Sequence, residues 1–187
     1  MKKIHLAKKQ SWTVVTYPQD FSNEGASLGP QTILRLQKIV DIRAQGTVPI
    51  SSVVLACGLS PDVHRYPFQR KSFALMMKEW LIGEGGINPE IIHCSQNDGV
   101  WNCIEVTMED IRLINVLGLS HNVLVVSTGF HIYPRMWVTW KILCSNNSRW
   151  HVKFVPIWGG SYKIFHELGG TVKYIPMALW YRLIRKV

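Results

Sequence analysis

Apolar and polar positions alternate along this chain in two distinct rhythms. Ser11 to Tyr17 (SWTVVTY) is β-branched and aromatic and ends at Pro18, which predicts a first strand. Pro18 to Pro30 is rich in Asp, Ser, Asn and Gly and reads as a long loop. From Pro30, a residue suited to a first helical turn, Ile33, Leu34, Leu36, Ile39, Val40 and Ile42 recur at helical spacing until Gly46 stops them. Ser51 to Cys57 (SSVVLAC) is almost continuously apolar, as expected of a strand in a sheet covered on both faces. Gly58 comes directly after it, and Leu59 to Arg70 forms a second loop.

The alternation continues. Phe73 to Ile82 predicts a helix, Glu90 to Cys94 a short third strand, and Ser95 to Asn102 (SQNDGVWN) a loop. Cys103 to Val116 predicts a helix with Ile104, Met108, Ile111 and Ile114 or Leu113 inward. Val123 to Val126 is a fourth strand, leading through Ser127, Thr128 and Gly129 to a helix expected to begin near Ile132, because Pro134 is best tolerated in a first turn. Trp150 to Ile157 is a fifth strand. The tail from Tyr162 predicts one or two helices divided by Gly169-Gly170 and Pro176. Strands that alternate with helices imply a three-layer, Rossmann-like α/β fold: a mainly parallel sheet of about five strands, right-handed crossovers and helices on both faces. No internal repeat or linker interrupts the 187 residues, so one domain is expected.

In such sheets ligands bind beyond the carboxyl ends of the strands. Four loops should gather there. They carry Asp20, Asn23 and Glu24; Gly58, Asp62, His64 and Arg65; Gln96, Asn97, Asp98 and Asn102; and Ser127, Thr128 and His131. His131 and Arg135 are four apart, so they share a face if one helical turn includes both. An Arg beside the exposed N–H groups of a helix N-terminus suits a phosphate or carboxylate, and His131 could contact the ligand or exchange a proton with it. Asp98 would either bond the ligand or cap the next helix.

Composition narrows the classes. An apolar content of 47% with 18% charged residues fits a globular protein. The net charge of +9 makes nucleic acid or an anionic membrane surface eligible partners, with basic clusters at Lys2, Lys3, Lys8 and Lys9 and at Arg182, Arg185 and Lys186. In the tail these cations alternate with Trp180, Tyr181, Leu183 and Ile184, a pattern that suits either a lipid surface or a docked helix. The four cysteines form no CxxC and read as buried free thiols, and the adjacent His93 and Cys94 point to opposite faces of a strand. No apolar run is long enough to cross a membrane and no signal peptide is evident, so a cytoplasmic location is the default expectation. The GxGxxG, GxxxxGK[ST], GxSxG and HExxH patterns are absent from the sequence.

Over roughly residues 11–160 the pattern resembles the bacterial YdcF-like family, which includes the SanA and ElyC proteins. VVSTGFHIYPRM is similar to the family's strand ending in T-S-x-x-H-x-x-R, with His131 at the His and Arg135 one residue beyond the usual Arg. VVLACG resembles its Ser-Gly-Gly strand and keeps Gly58. Arg35 corresponds to the Arg of its first helix, and Asp98 and Asn102 fit the ends of its N-T-x-E-N loop, where Gly99 and Trp101 replace the Thr and Glu. The resemblance implies a Rossmann-like domain with a helical extension over 161–187. It also implies a link to envelope biogenesis and a small anionic or nucleotide-like ligand, with S-adenosylmethionine a candidate. Gly58, Asp98, Asn102, Ser127, Thr128, His131 and Arg135 are the expected ligand-binding residues.

Overall fold

The computed structural model describes residues 10–144, 147–158, 175–180 and 182–183. Its elements are β1 (Trp12–Thr16), β2 (Phe21–Ser22), β3 (Ser27–Leu28), α1 (Pro30–Gln45), β4 (Ile50–Leu55), α2 (Phe73–Gly83), β5 (Ile92–Cys94), α3 (Cys103–Val116), β6 (Asn122–Thr128), the single turn α4 (Gly129–His131), α5 (Trp137–Cys144) and β7 (His151–Ile157). Residues 175–180 are also helical, whereas most of the tail expected to hold helices from Tyr162, and the basic start at Lys2, Lys3, Lys8 and Lys9, lie outside the described residues. No helix among the described residues is long and apolar enough to cross a membrane.

The expected α/β architecture is present. Five strands pair in parallel in the order β5-β4-β1-β6-β7, with α1 against α2 and α3 against α5. Burial explains the apolar run that begins in β4 and continues past its end. Val53, Val54, Leu55, Ala56 and Cys57 are all inaccessible, because helices cover both faces of a central strand. Strand β7 lies at the edge and is only half-buried, which is why Pro156 is tolerated within it.

Helix α1 starts as the sequence implies, with Gly29 before it and Pro30 in its first turn. Its cap comes from outside the helix. Asp20 accepts from the Gln31 and Thr32 N–H groups at 3.2 and 2.9 Å and from the Thr32 hydroxyl at 2.9 Å. Gly29 leaves room for this, since a Cβ there would fall 2.3 Å from the Asp20 carboxyl carbon. The helix ends at Gly46, in the left-handed region at φ 62°. The long loop before α1 is not structureless: β2 and β3 form a small antiparallel hairpin within it.

The region after β6 departs from expectation. The helix does not start near Ile132. Tyr133 is extended at φ −109°, ψ 113°, as a residue before proline prefers, and this interrupts the helical path. One turn at Gly129–His131 is succeeded by a wide turn through Ile132–Met136, and α5 begins only at Trp137.

Candidate functional site

The chain lays down β1, β4 and β5 on one side of the sheet, then returns by α3 to place β6 and β7 on the other. The order reverses between β1 and β6, and the crevice beyond the carboxyl ends of those strands is the ligand position of doubly wound sheets. Polar side chains from four elements meet there.

Arg35 enters from α1 and is 1% exposed. Its guanidinium donates to the Tyr17 carbonyl just after β1, to the Gln19 side-chain oxygen, and at 2.9 Å to the Thr128 hydroxyl at the end of β6. A lone buried Arg replaces an apolar residue in the inner stripe of α1, between Thr32 and Leu36 on one side and Ile39 on the next turn. It ties the two strand ends that frame the crevice.

His131 sits one turn past Thr128 and is 5% exposed. Its Nδ1 lies 2.9 Å from the Ser127 hydroxyl and its Nε2 lies 3.1 Å from the Cys103 thiol. The Tyr17 ring meets the imidazole edge-on, with centroids 5.8 Å apart. Burial, then Arg35, then Arg135 disfavour the imidazolium and hold its pKa well below the ordinary value. Arg135 is itself buried, at 8% exposure, and its charge adds to the forces that disfavour the His131 imidazolium.

Beneath this layer runs a chain of donors. The Trp140 indole N–H donates to the Tyr17 hydroxyl at 2.9 Å. The Tyr17 hydroxyl pairs with that of Thr107 at 3.1 Å, and the Thr107 hydroxyl donates to the Cys103 carbonyl at 2.7 Å. Asp110 is wholly buried on the same face of α3, and neither carboxylate oxygen has a well-formed hydrogen bond. Burial raises its pKa well above the carboxylate range, and Glu109 adds to the rise. The nearby Tyr17 hydroxyl only partly offsets it, having one proton to share between Asp110 and Thr107.

Of the residues expected from sequence, Ser127, Thr128, His131 and Arg135 converge in the crevice. Asn102 borders it as the cap of α3: its side chain accepts from the Ile104 and Glu105 N–H groups at 3.1 and 3.0 Å, and Glu105 returns to the backbone of Asn102 in a capping box. The cap expected of Asp98 therefore belongs to Asn102. Asp98 is exposed, and its carbonyl accepts from the Leu59 N–H at 2.9 Å. Gly58 packs directly on that backbone. Its N–H donates to the Val100 carbonyl at 2.7 Å, and a Cβ would fall 2.1 Å from the Asp98 carbonyl oxygen.

Several other loop polar groups prove to be turn-formers. Asn97 accepts from the Gly99 N–H, as an Asx turn does, and Asp62 accepts from the Arg65 N–H three residues on. Sequence reasoning missed Tyr17, Cys103, Thr107 and Asp110 altogether. A signal existed for the α3 residues: Cys103, Thr107, Asp110 and Ile114 recur at helical spacing, a polar stripe running into an apolar one. None of the four cysteines is in a disulfide, as expected, but only Cys57 is buried; Cys94, Cys103 and Cys144 are half-buried.

Two cavities lie elsewhere. One of about 650 Å³ runs along the outer side of α3 past Glu105, Arg112 and Trp150, and another of about 540 Å³ lies between Leu28, Phe68 and Trp80. Neither is lined by His131, Arg135 or Cys103.

Fold and crevice together define a Rossmann-like α/β protein with a polar site at its topological switch point. Compared with known proteins, the chain matches no family model, no curated protein and no solved structure.

Proposed function

We propose that this chain is a small-molecule-binding protein of the YdcF-like kind. Its ligand would be anionic or nucleotide-like and held at the carboxyl edge of the sheet, with S-adenosylmethionine a candidate from the family resemblance. One observation carries the reading: two buried arginines, Arg35 and Arg135, flank a neutral buried histidine at the point where the strand order reverses. Guanidinium groups withdrawn from water favour an anion strongly, because little solvent screens them. Ser127, Thr128 and His131 supply hydrogen bonds around that charge, and Asn102, Gly58 and Asp98 shape the neighbouring loops. Phe130 and Tyr133 on the turn that carries His131, and Trp158 just past β7, have exposed rings.

Isothermal titration with S-adenosylmethionine, adenine nucleotides and inorganic phosphate tests this reading. At least one should bind, and His131→Ala and Arg135→Ala should each weaken it about tenfold or more, the loss of one charge-assisted bond. Unchanged affinity in both variants refutes the site.

A second reading has a specific observation behind it. Leu179, Trp180 and Leu183 are exposed beside Arg182 near the end of the chain. Together with the net charge of +9, this favours an envelope-associated or interaction protein that contacts an anionic membrane surface or nucleic acid without catalysis. Flotation with anionic liposomes separates the two: no association at low salt rejects the membrane contact. Salt-dependent gel shifts do the same for DNA or RNA.

A further inference from the structure

Cys103 and His131 are 28 residues apart in sequence, yet the fold sets the thiol 3.1 Å from the imidazole. The partner of the other ring nitrogen defines the protonation pattern. His131 is held neutral, so one nitrogen donates and the other accepts. When Nε2 accepts from the Cys103 S–H, Nδ1 carries the hydrogen and donates to the Ser127 hydroxyl, which lies 2.9 Å away. This is the geometry of a nucleophile, its base and the group that orients the base. Cys103 is also the first residue of α3, at the positive end of the helix dipole, which favours a thiolate. Burial pushes the Cys57 thiol well up, Cys94 up to about 11 and Cys144 up to about 12.

We propose that Cys103 is the nucleophile of this crevice, with His131 as its general base and Ser127 as the positioning residue, and that it acts on an activated acyl group, a thioester or reactive ester, borne by an anionic molecule. The anionic character of the substrate rests on the reading of the crevice as a ligand site; the thiol chemistry does not. In the first step Cys103 gives its proton to His131 Nε2 while its sulfur forms a bond to the acyl carbon, and the carbonyl electron pair moves to oxygen. That pair then returns and the bond to the leaving thiolate or alkoxide breaks. The leaving group takes the proton from Nε2, leaving a Cys103 thioester and a neutral thiol or alcohol. Water attacks the thioester through the same proton path, giving a carboxylic acid and the free thiol.

The charges around His131 select the substrate class. Arg35 from α1 and Arg135 from the turn before α5 oppose an imidazolium, Tyr17 after β1 contributes a neutral ring, and α3 contributes Cys103 and, beneath Tyr17, Asp110, whose carboxyl is pushed by burial toward its neutral form. A histidine in that setting is a weak base and a strong acid. It suits acyl donors that are already reactive and need little base, and it returns its proton readily to the leaving group.

The test uses the full chain with p-nitrophenyl acetate, and then peptide mass spectrometry. A burst of about one p-nitrophenolate per chain is expected, with the acetyl group on Cys103; Cys103→Ala should abolish the burst. His131→Gln should slow acetylation about 100-fold, and Ser127→Ala should shift the midpoint of its pH profile, a change that loss of packing alone does not produce. With iodoacetamide at neutral pH the wild-type chain should be alkylated at Cys103 before Cys94 or Cys144, a ranking that requires no variant to fold. The proposal is overturned by a burst that survives Cys103→Ala, by an unchanged Cys103 rate in folded His131→Gln, or by equal alkylation of the three half-buried cysteines. Titration of Cys103→Ala with S-adenosylmethionine, nucleotides and phosphate keeps the two readings apart. Binding without acetylation of the wild type rejects the nucleophile and retains the ligand site; acetylation without any binding does the reverse.

Discussion

Two neighbouring parts of the sheet edge are built on opposite principles. Between β4 and β5 the loops after each strand grip one another through main chain: Gly58 and Leu59 donate to the Val100 and Asp98 carbonyls, and the side chain of Asp98 stays in solvent. Between β1 and β6 the contacts are made by side chains. Arg35, Thr128, Ser127, His131 and Cys103 join three helices to two strand ends, nearly all of it out of water. A fold can be closed with backbone alone. Withdrawing polar side chains from solvent is costly, so their concentration at one end of β1 and β6 marks where chemical identity matters and not only shape.

Substitutions can break or sharpen this contrast. The largest effect is expected from Arg35→Ala, which strands the Tyr17 carbonyl and the Thr128 hydroxyl and should destabilise the chain by about 3–5 kcal/mol in urea unfolding. Gly58→Ala comes next. Its methyl would collide with main chain that cannot step aside, so roughly 2–4 kcal/mol is expected, whereas the same change at Gly129 meets only the edge of the Trp158 ring and should cost about 1. A Gly58→Ala variant as stable as wild type would show that the backbone clasp is loose and the contrast mistaken.

Asp110→Asn should stabilise the chain at neutral pH by about 1–2 kcal/mol. The folded carboxyl has a raised pKa, so the wild type binds a proton that the unfolded chain releases above about 4. Its stability therefore falls as pH rises from there toward the folded value, and the variant should lack that fall. His131 works in the other direction. Its folded pKa is depressed, so stability is lost as pH drops below about 6.5, where the unfolded imidazole gains a proton. Stability curves of wild type, Asp110→Asn and His131→Gln against pH separate the two. Asn102→Ala should cost about 1 kcal/mol for the lost cap. Asp98→Asn is expected to change stability by less than about 0.5 kcal/mol, as an exposed loop residue should.

The sequence reveals the sheet because β4 and β6 are apolar on both faces and helices with clear stops lie between them. It also points to the strand-end residues Ser127, Thr128 and His131, since a strand running into a turn has few places to go. It hides the partners. Nothing local links Cys103 to His131 or Arg35 to Thr128, because those contacts exist only once β6 has been laid beside β1. Polar loop residues mislead for the opposite reason. Asp20, Asp62 and Asn97 look like chemistry but serve nearby N–H groups, and Asp20 does so for a helix eleven residues on. The delayed start of α5 comes from one dihedral at Tyr133, a local effect of Pro134 that favours an extended turn over a first helical turn.

Trp158 gives the site a built-in lamp. Its ring lies over Gly129, meets Phe130 edge-on at 5.6 Å, and is 65% exposed, beside the turn that carries His131. Any occupant that shifts this turn alters the polarity around that indole. A Trp158→Phe chain would therefore keep seven of the eight tryptophans and lose the emission change that tracks filling of the crevice.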